Sequence, residues 1–235
     1  GREAGFAAAL AVADGRVAAV GARDAIEPLA GARTRRLDLA GRLAIPAFNE
    51  AHMHLLPYGL GLSQVNLRAE EVRTLDEALR RVAAAARAAP KGAWVLGRGY
   101  DHFVLDIGRH PTAEELDRAA PDHPVVIRRT CGHMIVANSA AMRLAGVGHN
   151  TPDPEGGVIE RRGGKLTGLF QERAMRLILD QVPAPDEVQM VEGIRAACAD
   201  LAGRGFAAAT DMNVGMTAGL AEIAAYERAK RDGQL

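Results

Sequence analysis

Residues 45–57 read Ile45-Pro46-Ala47-Phe48-Asn49-Glu50-Ala51-His52-Met53-His54-Leu55-Leu56-Pro57, an extended stretch with two histidines two positions apart. Side chains at that spacing on a strand project from one face, so both imidazoles can reach a single ion. Neutral histidine nitrogen suits zinc and its borderline neighbours, and a strand end leaves each ring little rotamer freedom. The same spacing also describes two histidines left partly exposed where a strand ends. Seven histidines in 235 residues produce about 0.2 such pairs by chance, so the flanking sequence has to decide.

Upstream, Asp14-Gly15 separates two short β-type runs, the signature of a tight hairpin. Leu37, Leu39, Leu43 and Ile45 flank Ala40-Gly41 and suggest a second pair, so residues 1–45 read as a small β subdomain closed by Pro46. Residues 46–235 alternate between the two periods. Thr74 and Glu77 predict a capping box ahead of an apolar stripe ending at Pro90, and Thr112 with Glu115 repeats the signal. Residues 94–96 and 125–127 read as strands, residues 139–146 as a helix, and residues 147–168 as a Gly- and Pro-rich insertion with its own hairpin. A helix over 172–179, a long amphipathic helix starting at Asp186, a strand over 206–210 with Asp211 at its end, and a helix over 217–230 complete the series. This order predicts parallel β/α architecture, a barrel rather than a flat sheet.

Lys+Arg and Asp+Glu both number 29, so the chain lacks the basic excess of a nucleic-acid binder. Two cysteines cannot build a disulfide framework. With no secretory leader or long apolar run in view, the expectation is a cytoplasmic chain with no membrane partner.

The hairpin, Leu37-Asp-Leu-Ala-Gly-Arg42 and Pro46-x-Phe48-x-x-x-His52-x-His54 together resemble the amidohydrolase superfamily. More narrowly, the chain looks like amidohydrolase family 3, the group that includes N-substituted formamide deformylase-like enzymes. Further pieces follow in family order: Trp94-Val-Leu-Gly-Arg-Gly-Tyr-Asp101, Arg129-Thr-Cys-Gly-His133, Asn138-Ser139, Ala145-Gly146 and Thr167-Gly-Leu-Phe-Gln-Glu172. The resemblance implies a (β/α)8 TIM-type barrel preceded by a small β-sandwich. It implies one or two divalent ions, zinc foremost, and metal-assisted hydrolysis of a C–N bond in a small amide or formamide. It makes His52 and His54 metal ligands and Glu172 a metal-binding, catalytic carboxylate. Read from the residues alone, Glu172 is rather an acidic residue favoured by the dipole of a helix's first turn, and only the resemblance reverses that order.

The remaining candidates line the ends of strands. The resemblance implies a polar role near the substrate for His133, while Asp101 and His102, after Gly97-Arg-Gly99, could border the pocket. Asp211 could face the pocket or cap the next helix. Cys131 has no paired base in the sequence and reads as a small buried residue. His110, His123 and His149 read as loop histidines.

No histidine follows His149, so the two later histidine ligands of the superfamily, and its late aspartate, have no counterpart. The expectation is either a fragment or a chain whose barrel a second polypeptide completes, with a homo-oligomer as the other partner reading, and in either case weak metal binding by the chain alone. Two alternatives stand beside it: an inactive remnant serving as a binding or assembly module, and a cyclic amidase or deaminase on the same scaffold.

Overall fold

Asp14 and Gly15 both take positive φ, 50° and 72°, and fold β1 (Ala9–Ala13) back on β2 (Arg16–Gly21). In the computed structural model, which describes residues 5–235, this hairpin is the sheet of a first unit ending at Pro46; a second unit begins at Ala47. The second β-pair expected here is a turn only. Ala40 and Gly41 have positive φ, and Arg42 N–H donates to Leu39 O at 2.9 Å, but no strand flanks them. Leu37, Leu43 and Ile45 are exposed, so no buried face fixes a register for that pairing. A helical turn, α1 (Arg23–Ile26), lies between the two turns.

The second unit is a mixed α/β fold. Its elements are β3 (Phe48–Met53), α2 (Leu55–Leu62), β4 (Val65–Asn66), α3 (Leu75–Ala88), β5 (Val95–Tyr100), α4 (Ala113–Ala119), β6 (Val125–Arg129) and β7 (Met134–Ala137). After these come α5 (Ser139–Leu144), β8 (Gly157–Arg162), β9 (Lys165–Glu172), α6 (Met175–Leu179), α7 (Glu187–Gly203), β10 (Phe206–Asp211) and α8 (Ala221–Arg231). Six strands form one sheet in the order β4-β5-β6-β7-β9-β8, while β3 pairs in parallel with β10 alone. The uniform parallel series expected from the sequence is therefore not what forms. β4, β5 and β6 are parallel, and β7, β9 and β8 are antiparallel. Loop length explains the β6–β7 and β8–β9 pairings: residues 130–133 and Gly163-Gly164 are too short for the crossover of about a dozen residues that a parallel partner needs.

The helices start where the caps predict, with one difference. Thr112 and Glu115 form the reciprocal box. Thr74 accepts from Glu77 N–H, but the Glu77 carboxylate turns to Arg80 and Arg81, so that box is half made. Buried Asn138 caps α5 through Ala141 N–H and also accepts from Val125 N–H, tying helix to sheet. Leu67, Val82, Leu116 and Ile127 fill the core shared with α3 and α4; Ile135, Phe170 and Ile178 fill that shared with α5 and α6.

A third core joins α2, α7 and α8 through Leu56, Ile194 and Ala225. The sequence reading passes over α2, whose Pro57 falls in the first turn, where its missing N–H costs nothing. Gly59 lets α2 lie against α7: a Cβ there would stand 1.9 Å from Gly193 O. Gly59→Ala is expected to destabilise the protein by about 3 kcal/mol, the upper range for overpacking. Urea unfolding checks this, and an unchanged midpoint would refute the close approach.

Candidate metal centre

His52 lies on β3, and His54 is the residue at which the strand gives way to α2. The conversion is driven by Leu55 and Leu56, both buried at the start of the helix. The two rings face each other edge on, with centroids 5.9 Å apart and planes at 74°. His54 Nδ1 is buried without a hydrogen-bond partner, although 40% of the side chain is exposed. A buried polar nitrogen left bare costs about 1–3 kcal/mol, so this site is made for something other than packing.

Asp211 stands behind that nitrogen. β10 runs beside β3 with Asp211 opposite Met53, which leaves Asp211 Oδ1 3.9 Å from His54 Nδ1. Its Oδ2 accepts from Leu55 N–H (3.0 Å) and Tyr226 O–H (2.7 Å), and Oδ1 accepts from Asn213 N–H (3.1 Å). Burial pushes the Asp211 carboxyl up, but Tyr226, the two backbone donors and His54 outweigh it and hold the carboxyl below its usual range. The helix it caps is thus α2, from across the sheet, rather than the segment that follows it.

Glu172 does not begin a helix. It ends β9 with φ 51°, and the helix starts only at Met175. Left-handed backbone at a non-glycine residue costs about 1–3 kcal/mol and gathers at functional positions. Its carboxylate meets His133 Nδ1 at 3.1 Å, and its N–H donates to His133 O. Both side chains are largely exposed, 67% for His133 and 59% for Glu172. Among the described residues, no three His, Cys, Asp or Glu side chains gather as a complete metal site. His52 and His54 stand as a pair, and Glu172 stands with His133 rather than clustered with them.

Asp101 and His102 sit at the end of β5, where Arg129 organises both. Its Nη2 donates to Asp101 Oδ1 (3.1 Å) and its Nε to His102 Nδ1 (3.0 Å). His102 stacks on His110 at 3.9 Å, and His110 Nδ1 pairs with Tyr100 O–H at 3.0 Å. Burial, then the neighbouring His102, pushes His110 down to about 4. Burial, then Arg129, lowers His102 as well, so the stack is neutral at neutral pH. His110 is thus more than a loop histidine. Its eight-residue separation from His102 on an irregular segment gave the sequence no periodicity to reveal the contact. Cys131 is exposed rather than buried. Partial burial raises its thiol, but His133 N–H and the Arg129 guanidinium prevail and lower it.

Residues 35–235 match the model of the amidohydrolase family. The chain belongs to that family. Among its relatives, the amidohydrolase YtcJ of Bacillus subtilis (strain 168) is 34% identical over 194 residues, covering 82% of this chain and 36% of YtcJ. The N-substituted formamide deformylase of Arthrobacter pascens is 36% identical over 173 residues, 73% of this chain and 32% of the enzyme. An uncharacterized metal-dependent hydrolase from Pyrococcus horikoshii OT3 has a similar fold, with a TM-score of 0.62 and 26% identity over 96% of this chain and 42% of the other. The chain spans about a third of the length of these two curated relatives.

Proposed function

We propose that this chain carries the first part of the catalytic domain of a metal-dependent hydrolase that cleaves the C–N bond of a small amide or formamide. The observation that carries the reading is the His52–His54 pair, two imidazoles from one strand end with ring centroids 5.9 Å apart. Family membership supports it, as do the relative named for formamide deformylation and the solved neighbour described as metal-dependent.

In this reading His52 and His54 bind zinc, and Asp211 holds the His54 ring from behind. Glu172, strained at the end of β9, is the proposed acidic donor and catalytic carboxylate, and His133, Asp101 and His102 face the substrate. A catalytic zinc takes three protein ligands and leaves one position open; beside the histidine pair, Glu172 is the proposed third. Bound there, a divalent ion would polarise a carbonyl and lower the pKa of a water toward neutrality.

Both strands of the β3–β10 sheet are largely solvent-exposed, Phe48 at 51%. Parallel strands are normally covered on both faces. That supports a (β/α)8 barrel completed by further strands, from the same protein, a second polypeptide or a second copy. Among the described residues no helix is long and apolar enough to cross a membrane.

The test uses the full-length protein with an N-formyl amine and a cyclic ureide as substrates. Turnover of the formyl amine should vanish on removing metal with 1,10-phenanthroline and return with zinc. Turnover indifferent to chelation, or no C–N hydrolysis at full metal loading, would refute the proposal. Preference for the ureide would move it to the cyclic amidases.

A further inference from the structure

Three arginines meet at the ends of β4, β5 and β6 with nothing acidic between them. Arg98 and Arg128 are direct cross-strand neighbours, and Arg68 follows β4, whose next residue, Leu67, donates its N–H to Arg98 O. With Gly99, Arg129, Thr130 and Gly132 they line a recess of about 160 Å³. At roughly 30 Å³ per water that is room for about five waters, or one small ion with part of its hydration shell.

Gly99 is what lets the arginines converge. Its φ is +88°, and a Cβ there would lie 2.5 Å from Arg68 Cγ, so any other residue would displace the Arg68 stem. Arg129 is already committed to Asp101 and His102. Among the described residues none of Arg68, Arg98 and Arg128 forms an ion pair, and Arg98 alone spends a donor, its Nε to Gly61 O. Other arginines of the chain sit against carboxylates, Arg81 on Glu71 and Glu77 and Arg109 on Glu115.

Like charges placed opposite one another across a sheet are destabilising. Burial, then the Arg68 charge, holds the Arg98 guanidinium below its ordinary range, and desolvation acts on Arg128 in the same direction. Such an arrangement is stable when a counter-charge occupies the recess. A planar carboxylate satisfies one guanidinium fork; cations converging from three strands suit an anion with oxygens directed to several sides.

We propose that this recess binds a tetrahedral oxyanion of the phosphate class, free or as the phosphoryl group of a larger molecule. Its test needs no catalytic assay. Arg68 and Arg128 make no side-chain hydrogen bond among the described residues, so Arg68→Gln/Arg128→Gln removes charge without removing an internal hydrogen bond.

Inorganic phosphate is titrated into the protein by calorimetry in chloride buffer at constant ionic strength, and thermal unfolding is followed in parallel. The wild type should show one saturable site and a rise in Tm, with affinity at least tenfold weaker in the double variant. Without phosphate the variant should be as stable as the wild type or more so, because repulsion is relieved. Glycerol 3-phosphate binding more tightly than phosphate would point to a phosphoryl ester as the source, and equal binding to the free anion. The proposal fails if the wild type shows no saturable binding, if the variant responds as the wild type does, or if acetate at equal ionic strength reproduces the effect.

Discussion

His54→Ala in the full-length protein is expected to weaken zinc binding by more than the roughly 10–100-fold that losing an outer-shell partner costs, and Asp211→Asn by an amount within that range. The difference follows from their positions. In the proposed site His54 would offer its ring to the ion, whereas Asp211 lies behind the ring, 3.9 Å from Nδ1, with its other contacts made to Leu55, Tyr226 and Asn213. Acting through His54, the carboxylate can influence zinc only while the imidazole is present. The two losses should therefore not add: in the His54→Ala background, Asp211→Asn should change zinc affinity by less than about twofold, as a double-mutant cycle for coupled groups requires. Competition with a chromogenic chelator measures all four affinities. An equal effect of Asp211→Asn in both backgrounds would show that it acts through general loosening of the fold. Urea unfolding of the metal-free proteins separates the structural part, since Asp211→Asn also weakens the bonds that start α2 and hold α8.

What the sequence makes legible is local. Asp14-Gly15 states its turn because two successive positive φ values need residues that tolerate them. Thr112 and Glu115 state a helix start because the box is closed within four residues. The His52–His54 pair is visible because strand period alone sets two side chains on one face. The sheet order is not visible, since it depends on which strands meet. The short turns at 130–133 and 163–164 reverse the chain, and only pairing shows that β7 inserts between β6 and β9. Glu172 illustrates the limit well. An acidic residue shortly before Met175-Arg-Leu-Ile-Leu179 suits a first turn, yet β9 extends through it to pair with Gly157 and carries it to His133. Asp211 was legible as a strand-end carboxylate, but its partners Leu55 and Tyr226 lie 156 and 15 residues away, and no local rule reaches them. The same holds for Arg68, Arg98 and Arg128, which look like surface charges until the strands align them.

Glu222→Ala should produce the largest loss of stability, about 5 kcal/mol, since a hydrogen bond to a charged group contributes about 1.5–3 kcal/mol and three are lost, the low end applying because the loop can relax toward water. Glu222 is fully buried near the start of α8, and its carboxylate accepts the N–H groups of Gly215, Thr217 and Ala218 at 2.6, 2.5 and 2.8 Å. These donors belong to the loop that carries the chain from Asp211 into α8, and that loop makes no strand pairing of its own. Removing the carboxylate leaves three amides with no acceptor unless the loop opens to water. Opening it frees the start of α8, and with it Tyr226, whose hydroxyl fixes Asp211 Oδ2. The effect should reach the metal centre: zinc affinity should fall together with stability, although Glu222 is no ligand. Glu222→Gln keeps the volume and one acceptor oxygen, so about half the loss is expected. Urea unfolding with the chelator competition measures both quantities. A loss below about 1 kcal/mol for Glu222→Ala, well under one such bond, would mean that the loop holds its shape unaided and that Asp211 is positioned by β10 alone.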